Sequence, residues 1–259
     1  MEPARLLGNM GIVSHPGTTS GYARFGFEEV QLGGTKIEAY PDRAVGPILC
    51  ATHTLSEGVM SMNVQLFPLT ATECSTVVLQ VETNGSWHTV ATAPVDDGPM
   101  LAQFRVNAWD DVVDTAYQLV AVRTRADSTT VTQTWAGTVR KDPVDEEEFR
   151  LGSLTCVLQV ANGFSGVSSL SNRPDWTRDI IAFPHEELTA NVAKHDPHLL
   201  FFSGDQIYEG GSPTRKDLNA LRLDYLYKWY LWCWTWGELA RDIPTVAIPD
   251  DHDVFQGNL

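Results

Sequence analysis

The sequence predicts a two-domain chain, a β-sandwich followed by the opening strands of an α/β sheet, and three observations carry that prediction. From Met60 to Val139 apolar and polar residues alternate with a period of two, and no helical pattern interrupts them. Lys141-Asp142-Pro143-Val144-Asp145-Glu146-Glu147-Glu148 follows, a polar and acidic stretch that reads as a linker. Beyond it, the short apolar runs Leu199 to Phe202 and Thr245 to Ile248 each stop at an Asp-bearing turn, as interior strands of an α/β sheet do. The chain divides accordingly: 1–59, a β-rich amino-terminal segment or the tail of an upstream domain; 60–140, the sandwich; 141–150, the linker; 151–259, the α/β portion.

Within the first segment, turn clusters such as His15-Pro16-Gly17 and Gly33-Gly34 surround short stretches like Phe25 to Leu32. In the sandwich, Val77 to Glu82 and Trp87 to Ala91 flank Asn84-Gly85, a dipeptide suited to the positive φ angles of a tight hairpin. Asn84-Gly85-Ser86 also fits a glycosylation acceptor, but the hairpin is the preferred reading. Leu101 to Val106, Ala116 to Thr124 and Thr130 to Val139 add strands at regular spacing, which argues for an immunoglobulin- or fibronectin-III-like sandwich.

After the linker, Leu154 to Val160 reads as the first strand of the α/β sheet, with Cys156 inside it, and a Gly/Ser-rich loop runs from Asn162 to Asn172. Pro184 and Glu186-Glu187 mark a helix start within Ile180 to Lys194. With the Leu199 strand this makes a β-α-β unit, expected to cross over right-handed and to pair its strands in parallel. Ser212-Pro213 caps a second helix, Thr214 to Ala240, whose Tyr and Trp residues lie all around it. Such a helix is expected to be buried on more than one side as a cover for the core. A sharper reading makes one aromatic edge a wall of an active site.

Composition narrows the function. A hydrophobic content of 43% over 259 residues is ample for packed cores. A formal charge of −15 argues against nucleic acid or an anionic membrane surface as partners, because both demand clustered Lys and Arg. Four cysteines, Cys50, Cys74, Cys156 and Cys233, form no C-x-x-C pair and are too sparse for a disulfide framework, so they leave the compartment open. No basic segment followed by an apolar one marks a signal peptide at the amino end. Leu221 to Trp236 is the most apolar run, but it holds Arg222, Asp224 and Lys228 and falls short of the ~20 residues a membrane span needs.

The chemistry gathers at the two strand ends. Gly204 lets the backbone turn sharply after the Leu199 strand, so that Asp205 and Tyr208 leave the sheet on one side. Pro249 ends the second strand, and Asp250-Asp251-His252-Asp253 follows at once. Carboxylates crowded in this way repel one another unless a cation sits among them. A solvated acidic loop is the plain alternative.

Gly204-Asp205-Gln206-Ile207-Tyr208 and Asp250-Asp251-His252-Asp253, in this order and strand context, resemble the motifs of the calcineurin-like metallophosphoesterases, and within them the PhoD-like alkaline phosphatases and phosphodiesterases. The resemblance covers roughly residues 60–259 and implies the sandwich followed by the first half of an α/β metallophosphoesterase sheet. It implies hydrolysis of phosphate mono- or diesters by a hydroxide activated at a dinuclear metal site. It assigns Asp205 as the ligand between two metals, and Tyr208, Cys156 and Asp251 as further ligands. His252 would contact the substrate phosphate and act as the catalytic proton donor. The metals implied are Fe3+ with a divalent ion (Ca2+, Zn2+ or Mn2+), and the location is periplasmic or extracellular.

Cys156 stands in Thr155-Cys156-Val157-Leu158-Gln159, where the family has Ser-Cys-Gln; Asp250 takes a position held by glycine in the wider superfamily. For Asn162, Ser165 and Ser168 a flexible surface loop is the default reading, with lining of the pocket as the alternative. Family members complete the site with later histidines, including a Gly-His-x-His motif, whereas all seven histidines here lie at or before position 252. The expectation is therefore a fragment or truncated product. The competing reading is a non-catalytic binding module built on the sandwich, with a degenerate phosphoesterase portion.

Overall fold

The structure is a computed structural model that describes residues 33–35, 37–38, 46–125, 127–157, 185–208 and 221–254. It divides into two compact units, Met1–Ala44 and Val45–Leu259. In the first, the Ile37 amide donates to the Gly34 carbonyl at 3.2 Å, closing a turn. The expected turn at His15-Pro16-Gly17 and the stretch Phe25 to Leu32 lie outside the described residues.

The second unit opens with seven antiparallel strands: β1 (Ile48–Ser56), β2 (Val59–Leu66), β3 (Thr76–Thr83), β4 (Ser86–Asp96), β5 (Leu101–Asn107), β6 (Thr115–Thr124) and β7 (Thr130–Val139). Their order is β1-β2-β5-β4-β3-β6-β7. β4 changes layer along its length: Ser86 to Pro94 pair with β3, and Val95 and Asp96 pair with β5. The period of two explains the core. Met60, Met62, Val64 and Leu66 of β2 and Val77 and Leu79 of β3 are at most 2% exposed, and they share one apolar cluster with Tyr117, Leu119 and Ala121 of β6. Two antiparallel layers thus close on a common core, the arrangement of a β-sandwich. Asn84 and Gly85 take φ 54° and 76° in the β3–β4 turn, as the dipeptide predicts.

The sheet begins at Ile48, inside the stretch 1–59 that sequence reasoning set apart. β1 pairs along its length with β2, so a boundary at residue 60 cuts through a hairpin. The two outermost strands are tied by one side chain: Ile48 N donates to Gln133 Oε1 at 2.6 Å, and Gln133 Nε2 donates to the Ile48 carbonyl at 3.3 Å. That amide occupies backbone groups an edge would otherwise expose.

After the linker come β8 (Leu151–Leu154), α1 (Glu186–Lys194), β9 (Leu199–Phe202), α2 (Leu221–Ala240) and β10 (Thr245–Ala247). β9 is central, parallel to both β8 and β10. The linker is pinned to the sandwich, with the Lys141 amide on Asp114 Oδ1 at 2.8 Å and the Asp142 amide on the Asp111 carbonyl at 2.8 Å.

One strand lies elsewhere than the apolar run suggests. The first strand is Leu151–Leu154, so Cys156 follows it instead of sitting within it, and residues 158–160 of the expected strand Leu154 to Val160 lie outside the described residues. The observed register explains this: Leu154 pairs with Phe202, the last residue of β9, and beyond that pair the Cys156 amide makes one more bond, to the Gly204 carbonyl at 3.3 Å, outside the strand ladder. Cys156 then turns to φ 54° and ends the extended backbone. The expected stretches Ile180 to Pro184, Ser212-Pro213 and Thr214 to Ala220 lie outside the described residues, as does the loop Asn162 to Asn172.

α2 is covered on most of its circumference. Trp232, Cys233 and Trp236 are at most 1% exposed and pack with Leu49 and Cys50 of β1 and Leu200 and Phe202 of β9. The helix therefore joins the sandwich to the parallel sheet. At its end Tyr117 Oη donates to the Arg241 carbonyl at 2.9 Å, the Thr138 amide donates to Asp242 Oδ1 at 2.7 Å, and the Arg241 guanidinium lies 4.5 Å from the Trp135 ring centre. Among the described residues, no helix is long and apolar enough to cross a membrane.

Candidate metal centre

Three parallel strand ends converge because β8, β9 and β10 stop in register. At the end of β9, Gly204 adopts φ 122° and Asp205 φ 57°, turning the chain away from the sheet. Only glycine takes the first of these values freely, while Asp tolerates the second. Gly204 also has no room for a side chain, since a Cβ there would overlap the Cβ of Asp250. The two turns are in direct contact.

Asp253 fastens them together. It is 5% exposed, and its carboxylate accepts from the amides of Asp205 at 2.7 Å, Ile207 at 3.0 Å and Asp250 at 2.9 Å. With its amide nitrogen turned toward Asp253, Gln206 donates to the same carboxylate at 3.0 Å and accepts from the Gly204 amide at 3.1 Å. A carboxylate with so many donors is satisfied and is held in place. Its partners show it to be a strap and not a cation ligand. Nothing in the Asp250-Asp251-His252-Asp253 run itself marks Asp253 for this role. Asp250 shapes the turn, its Oδ1 accepting from the Asp251 amide at 2.8 Å.

Asp205, so oriented, is 7% exposed. Its Oδ2 accepts from the Cys156 thiol at 3.4 Å, and its Oδ1 is buried with no hydrogen-bond partner. Ligand atoms of Asp205, Asp251 and His252 all lie within 4.8 Å of one another. The Tyr208 ring sits 4.7 Å from that of His252, centre to centre and tilted by 40°. Burial first, and then the charges of Asp205 and Cys156, push the Tyr208 phenol above its usual range, so it keeps its proton unless a cation opposes those charges.

The five residues singled out from the sequence therefore meet at one place. Cys156 comes from the end of β8, Asp205 and Tyr208 from the end of β9, and Asp251 and His252 from beyond β10. Asn162, Ser165 and Ser168 lie outside the described residues. The donor set contains carboxylate, phenol, thiol and imidazole groups. It fits a metal ion in the simplest respect: Asp205 Oδ1 is a buried carboxylate oxygen with no partner in hydrogen-bond geometry, beside a phenol, a thiol and an imidazole.

No protein-family model matches the chain, and no curated protein does. A solved structure of murine CRIg is similar at 12% sequence identity, over 36% of this chain and 98% of that one, with a TM-score of 0.29. A likeness at that score carries nothing for fold or function.

Proposed function

We propose that this chain carries a metal-dependent phosphoesterase site of the PhoD-like kind, acting on phosphate mono- or diesters. The observation that supports this reading most is the unpartnered Oδ1 of Asp205, buried where Cys156, Tyr208, Asp251 and His252 meet. Asp205, Cys156, Tyr208 and Asp251 would hold two cations, Fe3+ and a divalent ion (Ca2+, Zn2+ or Mn2+). Bound there, such ions supply Lewis acidity toward phosphoryl oxygens and lower the pKa of water.

The side chains contribute the rest. The Asp253 strap holds the backbone of Asp205 through its amide, so its carboxylate would meet a cation without rebuilding the turn. Tyr208, its phenol pushed above the usual range by burial and then by the Asp205 and Cys156 charges, would give up its proton on binding a cation, and a phenolate suits a hard trivalent ion. His252 is half-buried beside Tyr208, and its imidazole would donate a proton to the phosphate or to the leaving oxygen.

The test is hydrolysis of p-nitrophenyl phosphate and bis-p-nitrophenyl phosphate at alkaline pH after loading with Fe3+ and each divalent ion. Turnover of either ester, reduced roughly 100-fold in His252→Gln with metal content unchanged, is the expected result. A visible phenolate-to-iron charge-transfer band that disappears in Tyr208→Phe would assign the iron ligand. Retention of no metal, with no turnover, would favour the non-catalytic binding module instead.

A further inference from the structure

A cleft of about 780 Å³ opens between β1, β2 and β5 on one side and α2 and β10 on the other. Nothing in the phosphoesterase reading uses it. Its volume falls in the ~300–1,000 Å³ range of small-molecule sites. Its helical wall is aromatic: Trp229 and Trp232 stack with ring centres 4.6 Å apart and planes 11° from parallel, and Tyr225 lies on the same face. Stacked rings offer a flat apolar surface that a planar ligand matches.

One polar feature gives that surface a preferred occupant. Arg222 lines the cleft, its Nη1 anchored on the Asp97 carbonyl at 3.1 Å. A guanidinium held at the rim of an aromatic slot favours an anion, through charge-assisted hydrogen bonds. A second apolar groove, about 430 Å³ on another face of α2 with Tyr227 and Trp234, shows no such cation among its described lining residues.

We propose that this cleft is a binding site for a small planar aromatic anion, with its ring system against Tyr225 and Trp229 and its charged group toward Arg222. The site stands on the cleft alone and is independent of whether Asp205 binds metal.

The probe is 1-anilinonaphthalene-8-sulfonate, titrated into the full chain while energy transfer from tryptophan to the probe is read. The site predicts saturable binding with one equivalent of probe. Arg222→Gln should weaken the sulfonate about tenfold and leave the neutral N-phenyl-1-naphthylamine unaffected. Ala247→Trp and Asn63→Trp, each at an exposed position of the cleft wall, should abolish both without changing the far-ultraviolet circular dichroism. Unsaturable binding, retention in both cleft-filling variants, or loss on Tyr227→Ser with Trp234→Ser alone would each overturn the proposal.

Discussion

Gly204 is where a single methyl group tests the geometry of the turn. Alanine there would have to adopt φ 122° and overlap Asp250. Gly204→Ala is expected to cost roughly 3 kcal/mol in urea denaturation, from backbone strain and crowding together. His53 supplies a second test, based on pH. It is 1% exposed, packs edge-on against Tyr117, and neither ring nitrogen finds a partner in hydrogen-bond geometry. Burial foremost, then the Arg140 charge, lower its pKa from 6.5 to about 4, and the Ala240 carbonyl nearby offsets this only in part. Between those pH values the unfolded chain takes up a proton that the folded chain refuses. Stability is therefore whole above pH 6.5 and falls as the pH drops toward 4, by on the order of 3 kcal/mol. Denaturation curves at pH 7.5 and 4.5 should differ less in His53→Leu than in the parent by that amount; an unchanged difference would show that His53 is not the group responsible.

At the scale of elements, the contact between β7 and the end of α2 decides how firmly the helix seats. A Cβ on Gly137 would lie 2.6 Å from the Arg241 carbonyl and 2.8 Å from Tyr117 Oη, the two partners of one hydrogen bond. Gly137→Ala should cost about 2 kcal/mol, and Tyr117→Phe about 1 kcal/mol. The double variant should cost less than their sum, because both changes remove the same bond. Strands with one face in the core were legible, since β2 alternates Met60, Met62, Val64 and Leu66 inward. β1 was not, for a physical reason. Its residues are buried on both faces, Ile48 and Ala51 in the sandwich core and Leu49 and Cys50 against α2, so no alternation marks it. The misplaced first strand has a different cause: the end of β9 sets its limit, and an apolar run carries no record of its partner's length. The turns beyond β9 and β10 were legible because Gly204 and Pro249 punctuate them. The strap role of Asp253 was not, because a carboxylate that accepts from backbone amides looks in sequence like one that binds a cation.

Across the whole molecule, α2 packs on β1 and on β9 at once, so the sandwich and the parallel sheet share a core cluster. The turns that carry Asp205 and Asp251 are thereby held on one buried scaffold, which keeps the cluster assembled before any ligand arrives. The proposed chemistry requires a cation at the unpartnered oxygen of Asp205. Metal content, measured by plasma mass spectrometry after loading and desalting, tests it most directly. The parent chain should retain metal in stoichiometric amount, and Asp205→Asn, equal in size and with an unchanged circular dichroism spectrum, should lose most of it. A parent chain that retains none, or an Asp205→Asn variant that retains as much as the parent, would contradict the account.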